Sequence, residues 1–377
     1  MRLQWRWTDW PEVPPDAPYR LPGQSGSTKR NSTAGISASP TEGSPECHLH
    51  FARRVTFLSC ADNGHHRAEH PLPTSGGRGE PIATSRGWVG HDAGGLLSIK
   101  PNHHRLKGRF AVRLPLKGRS IAYDLIGPEN APVVCITHSL ASDMGMWVEQ
   151  VPPLLSAGYR VLRIDMRGHG GSDPAGDFYT MEGLGDDVAT VLDALGIGRV
   201  HYIGLSIGGM LGQAFALNHT AKVVSALWCD TLPCSPAGAA EVWGQRMATV
   251  REAGSLAALV EPTMERWFTD AFRPRNPCRW KQIADTIIST TAAGYLGCSQ
   301  AILTYDFVPR LPSLKLPVLV VCGDGDAGTP PAENQRLAGL VPGGRYEEIA
   351  DARHFPNVEH PDVFNRIVLN WLQAQKS

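Results

Sequence analysis

Residues 199–217 read RVHYIGLSIGGMLGQAFAL, and their order decides the fold. An apolar, β-branched run closes on Gly204-Leu205-Ser206-Ile207-Gly208-Gly209, and a helical spacing starts directly behind it. The pattern Gly-x-Ser-x-Gly occurs once in the chain. Short Gly/Ser patterns arise by chance, so the setting carries the weight. A strand, a tight turn and a helix in succession are the context in which this pattern presents a nucleophile. Such a turn strains the serine backbone and lifts its hydroxyl above the sheet. Glycines flank it because a side chain there would clash. The serine then stands at a helix N-terminus, where the amide of Ile207 can donate to an oxyanion. The competing reading is an ordinary N-cap serine, and the strand–turn–helix setting disfavours it.

Outward from this turn the same alternation recurs. PVVCIT (132–137), RVLRI (160–164), VVSALWC (223–229) and PVLVVC (317–322) are short apolar runs of the kind that form buried parallel strands. Residues 180–195, 207–218 and 331–341 have helical spacing, and RYEEIA (345–350) reads as a last strand. Val112 to Leu116 and Ser120 to Ile126, either side of Lys117-Gly118-Arg119, predict a hairpin. The whole implies an α/β fold, a mostly parallel central sheet with helices on both faces. Right-handed crossovers place the carboxyl ends of the strands on one edge, where ligands bind. Residues 232–301 break the alternation with EVWGQRMATVREAG, SLAALVEPTMERWF and CRWKQIADTIISTTAAGYLG, several helices and no strand. They predict a helical lid inserted after the sixth strand. Trp243, Trp267, Phe268, Phe272 and Trp280 in it would wall an apolar pocket or merely fasten the lid to the core, the second reading suiting most of them.

Four more stretches fall at strand ends on that edge. Thr137-His138-Ser139-Leu140 follows the third strand, in the loop that supplies a second oxyanion donor; by position that donor is the amide of Leu140. Cys322-Gly323-Asp324-Gly325-Asp326 follows the seventh strand and offers a carboxylate to orient a base. Asp326 has the favoured offset, Asp324 reads as a turn former, and Asp230, after the sixth strand, is the third candidate. Ala352-Arg353-His354-Phe355-Pro356 follows the last strand and supplies the base, completing the order Ser206, Asp326, His354. Asp165-Met166-Arg167-Gly168-His169-Gly170-Gly171-Ser172-Asp173 lacks any phosphate-loop pattern and reads as a tight structural loop beside the site. His169, His201, His219 and His360 fit no catalytic place and read as structural or exposed.

The 377 residues carry 36 Lys+Arg and 36 Asp+Glu, with 42% hydrophobic and 19% charged residues. That balance argues against a nucleic-acid or membrane-surface partner. The 8 cysteines, at 47, 60, 135, 229, 234, 278, 298 and 322, contain no CxxC pair and read as small buried hydrophobes. The opening MRLQWRWTDWPEVPP has no apolar segment behind its basic residues, so no secretory signal is read and a cytoplasmic location is expected. Residues 1–105 are rich in Ser, Pro, Gly, Arg and His without any period. They are expected to be mostly disordered, an extension that a start codon set too early would explain. Cys47, His48, His50, Cys60, His65 and His66 show no zinc spacing. Trp5, Trp7 and Trp10 alternate as on a short exposed segment. The core is expected at 106–231 and 302–377, with the lid at 232–301.

IDMRGHGGSD, GLSIGGM, GDGDAGTPP and ARHFPNVEHP resemble the α/β-hydrolase superfamily. THSLASDMGMW, LAALVEPTMERWF and AAGYLGCSQAI before Tyr-Asp-Phe resemble one branch of it, the 3-oxoadipate enol-lactonases of the protocatechuate (β-ketoadipate) route of aromatic breakdown. The resemblance spans about 110–375, and it departs at His138, where that branch often has Asn. It implies an α/β-hydrolase fold, a triad of Ser206, Asp326 and His354, an oxyanion hole from Ile207 and Leu140, and no metal or cofactor. The implied substrate is a small lactone bearing a carboxylate, so a cation is expected in the pocket: Arg266 beside Trp267 first, Arg246 and Arg273 as alternatives, with Trp147 as a further contact. A general carboxylesterase or cofactor-free perhydrolase is the alternative within the enzymes, and a weakly hydrolysing ligand receptor the alternative outside them. A dehalogenase is set aside because it needs an aspartate at position 206.

Overall fold

The computed structural model describes residues 111–176 and 178–375. The expectations for residues 1–105, including the Cys/His group and the three tryptophans, lie outside the described residues.

Eight strands form one sheet in the order β1-β2-β4-β3-β5-β6-β7-β8: β1 (Val112–Leu116), β2 (Arg119–Ile126), β3 (Val133–Thr137), β4 (Arg160–Ile164), β5 (Val200–Leu205), β6 (Val223–Cys229), β7 (Val318–Gly323) and β8 (Arg345–Ile349). β1 and β2 are an antiparallel hairpin, β2 is antiparallel to β4, and the rest are parallel. The hairpin turn is shorter than the sequence suggests. Leu116 pairs with Arg119, leaving Lys117 and Gly118 as the turn, with Gly118 at φ +78°. β3, β5 and β7 are buried along their whole length, as expected where helices cover both faces. The helices that flank the sheet are α1 (Val151–Ser156), α2 (Met181–Ala194), α3 (Ile207–Asn218), α9 (Pro331–Leu340), α10 (Pro356–Glu359) and α11 (Pro361–Ala374).

Between β6 and β7 lie α4 (Ala239–Ala253), α5 (Val260–Trp267), α6 (Phe272–Arg275), α7 (Pro277–Ser289) and α8 (Ala292–Thr304), which runs past the expected end at 301. Besides the bonds of Arg279 to Gly145 O, Met146 O and Glu149, this lid is fastened to the rim of the sheet at two further places. At the first, Trp267 stacks on Phe355 with ring centroids 4.1 Å apart, and Phe268 packs on Phe272 at 4.2 Å and on Phe355 at 5.6 Å. Arg353 adds hydrogen bonds of 2.7 Å to the carbonyls of Glu265 and Phe268. At the second, the amide and hydroxyl of Thr291 donate to Gly168 O at 3.2 and 2.8 Å. Most of the lid aromatics therefore serve as fasteners. Trp243 stays half-buried, with the Arg246 guanidinium 5.0 Å from its ring. Among the described residues no helix is long and apolar enough to cross a membrane.

The second fastening depends on two glycines. A Cβ on Gly168, whose φ is +73°, would lie 2.3 Å from Gly294 Cα, and one on Gly294 would lie 2.5 Å from Gly168 O. Gly294→Ala should therefore cost about 1–3 kcal/mol of overpacking and lower the melting temperature by roughly 3–10 °C. Gly244→Ala meets nothing within 4 Å and should be neutral or slightly stabilising. Equal melting temperatures for Gly294→Ala and the parent protein would mean that the lid is not seated on Gly168.

Candidate active site

Ser206 closes β5 at φ 59° and ψ −120°, a left-handed conformation rare for a residue with a side chain. Its amide donates to Cys229 O at 2.8 Å, so the β5–β6 ladder holds the residue even where the strand has ended. The Thr231 hydroxyl donates to Ser206 O at 2.8 Å. The flanking glycines are a steric requirement: a Cβ on Gly204 would meet Gly208 O at 2.2 Å, and one on Gly208 would meet Thr137 O at 2.6 Å. Ser206 is 9% exposed.

The loops after β7 and β8 bring Asp326 and His354 together. His354 Nδ1 lies 2.7 Å from Asp326 Oδ2. A proton on Nδ1 serves that bond, which leaves Nε2 of a neutral ring as the basic nitrogen. Burial alone would raise the Asp326 pKa. The neighbouring His354, the Thr329 hydroxyl and the Gly328 amide outweigh it and hold the carboxyl below the usual carboxylate range. Ser206 Oγ and His354 Nε2 are not joined by a hydrogen bond in this state, as is common before substrate binds. A chain of hydrogen bonds nevertheless ties the serine turn to the acid. Thr231 N donates to Asn334 Oδ1 at 3.0 Å, Asn334 Nδ2 to Thr329 O at 2.7 Å, and the Thr329 hydroxyl to Asp326. Neither Thr329 nor Asn334 stands out in the sequence. A threonine three residues past an aspartate is a weak turn signal, and nothing distinguishes Asn334 from a surface helix residue.

Asp324 takes the turn role, accepting from Ala352 N at 3.2 Å. Asp230 lies close to Asp326 in a different state. It is fully buried at φ 44°, accepts from Gly323 N and the Cys229 thiol at 2.9 Å each, and has a pKa pushed well above the carboxylate range by burial and by Asp326. Burial thus disfavours charge on Asp230, while its partners favour charge on Asp326. Asp230, Cys322 and Asp326 place potential metal ligands within 4.8 Å of one another, but they do not fit a cation. Every carboxylate oxygen already accepts a hydrogen bond, and burial pushes the Cys322 thiol far from ionisation.

The oxyanion loop is set by two histidines. His138 Nε2 accepts from Met166 N at 2.9 Å, and its Nδ1 lies 2.8 Å from Ser139 O. His169 Nε2 accepts from Ala141 N at 3.1 Å, and its Nδ1 lies 3.0 Å from Arg167 O. Each ring therefore carries its proton on Nδ1, bonded to its own loop, and turns the Nε2 lone pair to an amide of the other loop. The two loops are clasped reciprocally. His138 and Ser142 N both hold Ser139 O. In a trans peptide the next N–H, that of Leu140, then points the opposite way. Ala141 follows at φ 57°. The amides of Leu140 and Ile207 donate to no described group. These are the two amides that the sequence expects to meet an oxyanion, and the histidine clasp behind Leu140 carries no sign in the sequence.

The expected substrate contacts divide. Trp147 is 0% exposed and sits 6.1 Å from the Phe364 ring, so it is a core residue rather than a pocket wall. Trp267 is spent on Phe355, as described above. Arg273 ion-pairs with Glu261 on the surface and stacks on Trp280, which removes it as a pocket cation. Arg266 and Arg246 remain, both half-buried.

A strained serine turn, an Asp–His pair and two amides without a described acceptor lie at the carboxyl edge of such a sheet, an arrangement suited to hydrolysis. The family profile of the alpha/beta hydrolase fold matches residues 132–361. The chain belongs to the α/β-hydrolase family and is an enzyme of the hydrolase class. Over 262 residues it is 32% identical to 3-oxoadipate enol-lactonase 1 of Acinetobacter baylyi, covering 68% of this chain and 95% of that protein. The crystal structure of the enol-lactonase from Burkholderia xenovorans is similar at a TM-score of 0.67 and 35% identity, over 70% of this chain and 100% of that one. A putative carbamate hydrolase of Variovorax paradoxus is 28% identical over 256 residues, 66% of this chain and 95% of that protein.

The clasp has a pH signature. Burial lowers the His138 pKa to about 4, against the Ser139 carbonyl and Asp143, which favour the charged ring. Burial and the neighbouring His138 lower that of His169 to about 3. A depressed folded-state pKa gives stability that is complete above the unfolded value near 6.5 and is lost as pH falls toward the folded values. The raised pKa of Asp230 acts in the opposite direction, so the informative quantity is a difference. Replacing His169 by Asn should flatten the dependence of unfolding free energy on pH, near pH 5, by about 1.4 kcal/mol per pH unit. Urea titrations at several pH values would show it. Parallel curves would mean that His169 is not buried neutral.

Proposed function

We propose that this chain is a serine hydrolase that opens an enol-lactone ring, with 3-oxoadipate enol-lactone converted to 3-oxoadipate as its reaction. The observation that carries the hydrolase mechanism is the 2.7 Å Asp326–His354 contact at the same sheet edge as Ser206 in its strained turn. The lactone is favoured by the similarity to enol-lactonases, which extends over nearly their whole length.

In this reading His354 Nε2 takes the proton of Ser206 Oγ as the oxygen attacks the lactone carbonyl. Asp326 stabilises the imidazolium that forms. The negative charge on the former carbonyl oxygen is met by the amides of Ile207 and Leu140. Collapse breaks the ring C–O bond and expels an enol, which takes the proton from His354 and tautomerises to a ketone. Water, deprotonated by His354, then attacks the acyl-enzyme and releases Ser206 and a carboxylate. A cytoplasmic setting belongs to this reading and is supported by the free thiols of Cys135, Cys229, Cys234, Cys278, Cys298 and Cys322.

The test is turnover of freshly generated 3-oxoadipate enol-lactone, followed by loss of its ultraviolet absorbance. Ser206→Ala should lower kcat by roughly ten-thousand-fold or more. An intact protein that ignores the lactone but cleaves p-nitrophenyl acetate through Ser206 would be a general carboxylesterase.

A further inference from the structure

His354 stands between two anchored residues. Arg353 N, before it, donates to Glu359 Oε2 at 3.1 Å, and Phe355 N, after it, donates to Trp267 O of the lid at 3.2 Å. The other oxygen of the same carboxylate, Glu359 Oε1, accepts from the amide of Thr269 at 2.9 Å and from its hydroxyl. One half-buried side chain therefore joins the backbone beside the base to the lid segment that follows α5.

The turn that carries Glu359 is itself fixed. The Glu359 amide donates back to Phe355 O at 2.9 Å. Gln150 Nε2 donates to Asn357 O at 2.9 Å, and Asn357 Nδ2 donates to Met146 O and Gln150 Oε1 at 3.2 Å each. Gln150 and Asn357 are buried, where such bonds meet little competition from water. α10 thus rests on the segment after the oxyanion loop, and the carboxylate works from a firm base.

A surface or capping role does not account for Glu359. The Arg353 guanidinium turns to Glu265 O, Phe268 O and Asp270 instead of to Glu359. α11 begins at Pro361 with no side chain capping it. The carboxylate is spent on neutral donors of Arg353 and Thr269, whose bonds its charge strengthens. These bonds bear on the geometry of the base. Asp326 fixes only the Nδ1 end of the His354 ring. Where Nε2 stands over Ser206 follows from the backbone of residues 353–355, and a proton transfer is sensitive to displacements of an ångström.

We propose that Glu359 is a positioning residue for His354: its carboxylate ties the Arg353 amide to Thr269 of the lid, so that the reach of Nε2 toward Ser206 depends on the lid being seated. The consequence for turnover rests on the hydrolase reading above. The placement of the ring does not, and the two are read separately.

The full chain and its variants are compared by proton NMR and by hydrolysis of p-nitrophenyl acetate. The proton held between His354 Nδ1 and Asp326 resonates far downfield and is identified by its loss in His354→Ala. In Glu359→Gln, which keeps the size but only one acceptor oxygen, that signal should broaden or vanish through exchange with water. The same variant should lower kcat by roughly 10- to 100-fold with KM little changed, the scale of a misplaced catalytic group. Thr269→Val, which removes only the hydroxyl donor, should lower kcat in the same sense but by less. Glu261→Gln, a lid carboxylate on the surface, should match the parent. In a His354→Ala background Glu359→Gln should cost nothing further, because groups that act as one unit do not add. A lowered melting temperature with parental kcat and an unchanged downfield signal would leave Glu359 a structural role only and overturn the assignment. A loss that multiplies with that of His354→Ala would overturn it too, and parental kcat in Thr269→Val would remove the lid from the seat of the base. If Ser206→Ala and His354→Ala cleave the ester as the parent does, the hydrolase reading falls, and the downfield signal alone decides the placement of His354.

Discussion

The bond from Ser206 N to Cys229 O is the constraint on which the site depends. It continues the β5–β6 ladder through a residue whose φ of 59° has already left the strand region. A lone left-handed residue costs on the order of 1 kcal/mol or more, so the surroundings must over-determine it. They do so from three sides. Cys229 O takes the amide, Thr231 takes the carbonyl, and Gly204 and Gly208 leave room for backbone where side chains would collide. The register then settles the rest. Thr137 pairs with Gly204, Leu205 with Cys229, Cys229 with Val321, and Gly323 with Ile349, so the loops after β3, β5, β6, β7 and β8 all begin on one edge, β7 and β8 running slightly beyond β6. Groups far apart in the chain meet there without any long side chain having to reach.

The electrostatics beneath the site separates two aspartates of the same chemistry. Asp326 receives a histidine, a threonine hydroxyl and two amides, and stays ionised. Asp230 receives one amide and one weak thiol donor in full burial, and its pKa is pushed well up. Two adjacent buried carboxylates could not both ionise at reasonable cost. The surroundings therefore favour charge on Asp326, which faces His354, over charge on Asp230. The sequence offered both as candidate acids. The number and quality of donors decide between them, and those are properties of the fold.

Much of the architecture was legible because strand burial and helical spacing are local signals. β4, β6 and α3 begin and end where the apolar pattern does. Ser206, Asp326 and His354 could be named because each follows a strand at a fixed offset. Residue type alone misled in the lid and before α1. Trp147 and Trp267 looked like pocket walls, yet one is sealed against Phe364 and the other against Phe355. A large aromatic buries wherever apolar surface is available, and the sequence does not say on which side of the lid that is. The reciprocal clasp of His138 and His169 was illegible for a different reason. Each ring satisfies an amide of the other's loop, so neither loop shows the need by itself.

The lid is held to the rim of the sheet by contacts of several kinds. Trp267 stacks on Phe355, Gly294 meets Gly168 at the backbone, and Arg279 spends its charge on Glu149 and on the carbonyls of Gly145 and Met146. At the surface Arg273 pairs with Glu261 and Lys281 with Asp285. Arg246 and Arg266 are half-buried and make no ion pair with a described carboxylate. A guanidinium that loses part of its water without gaining a partner costs stability, so the contacts at the rim hold the lid down against that cost.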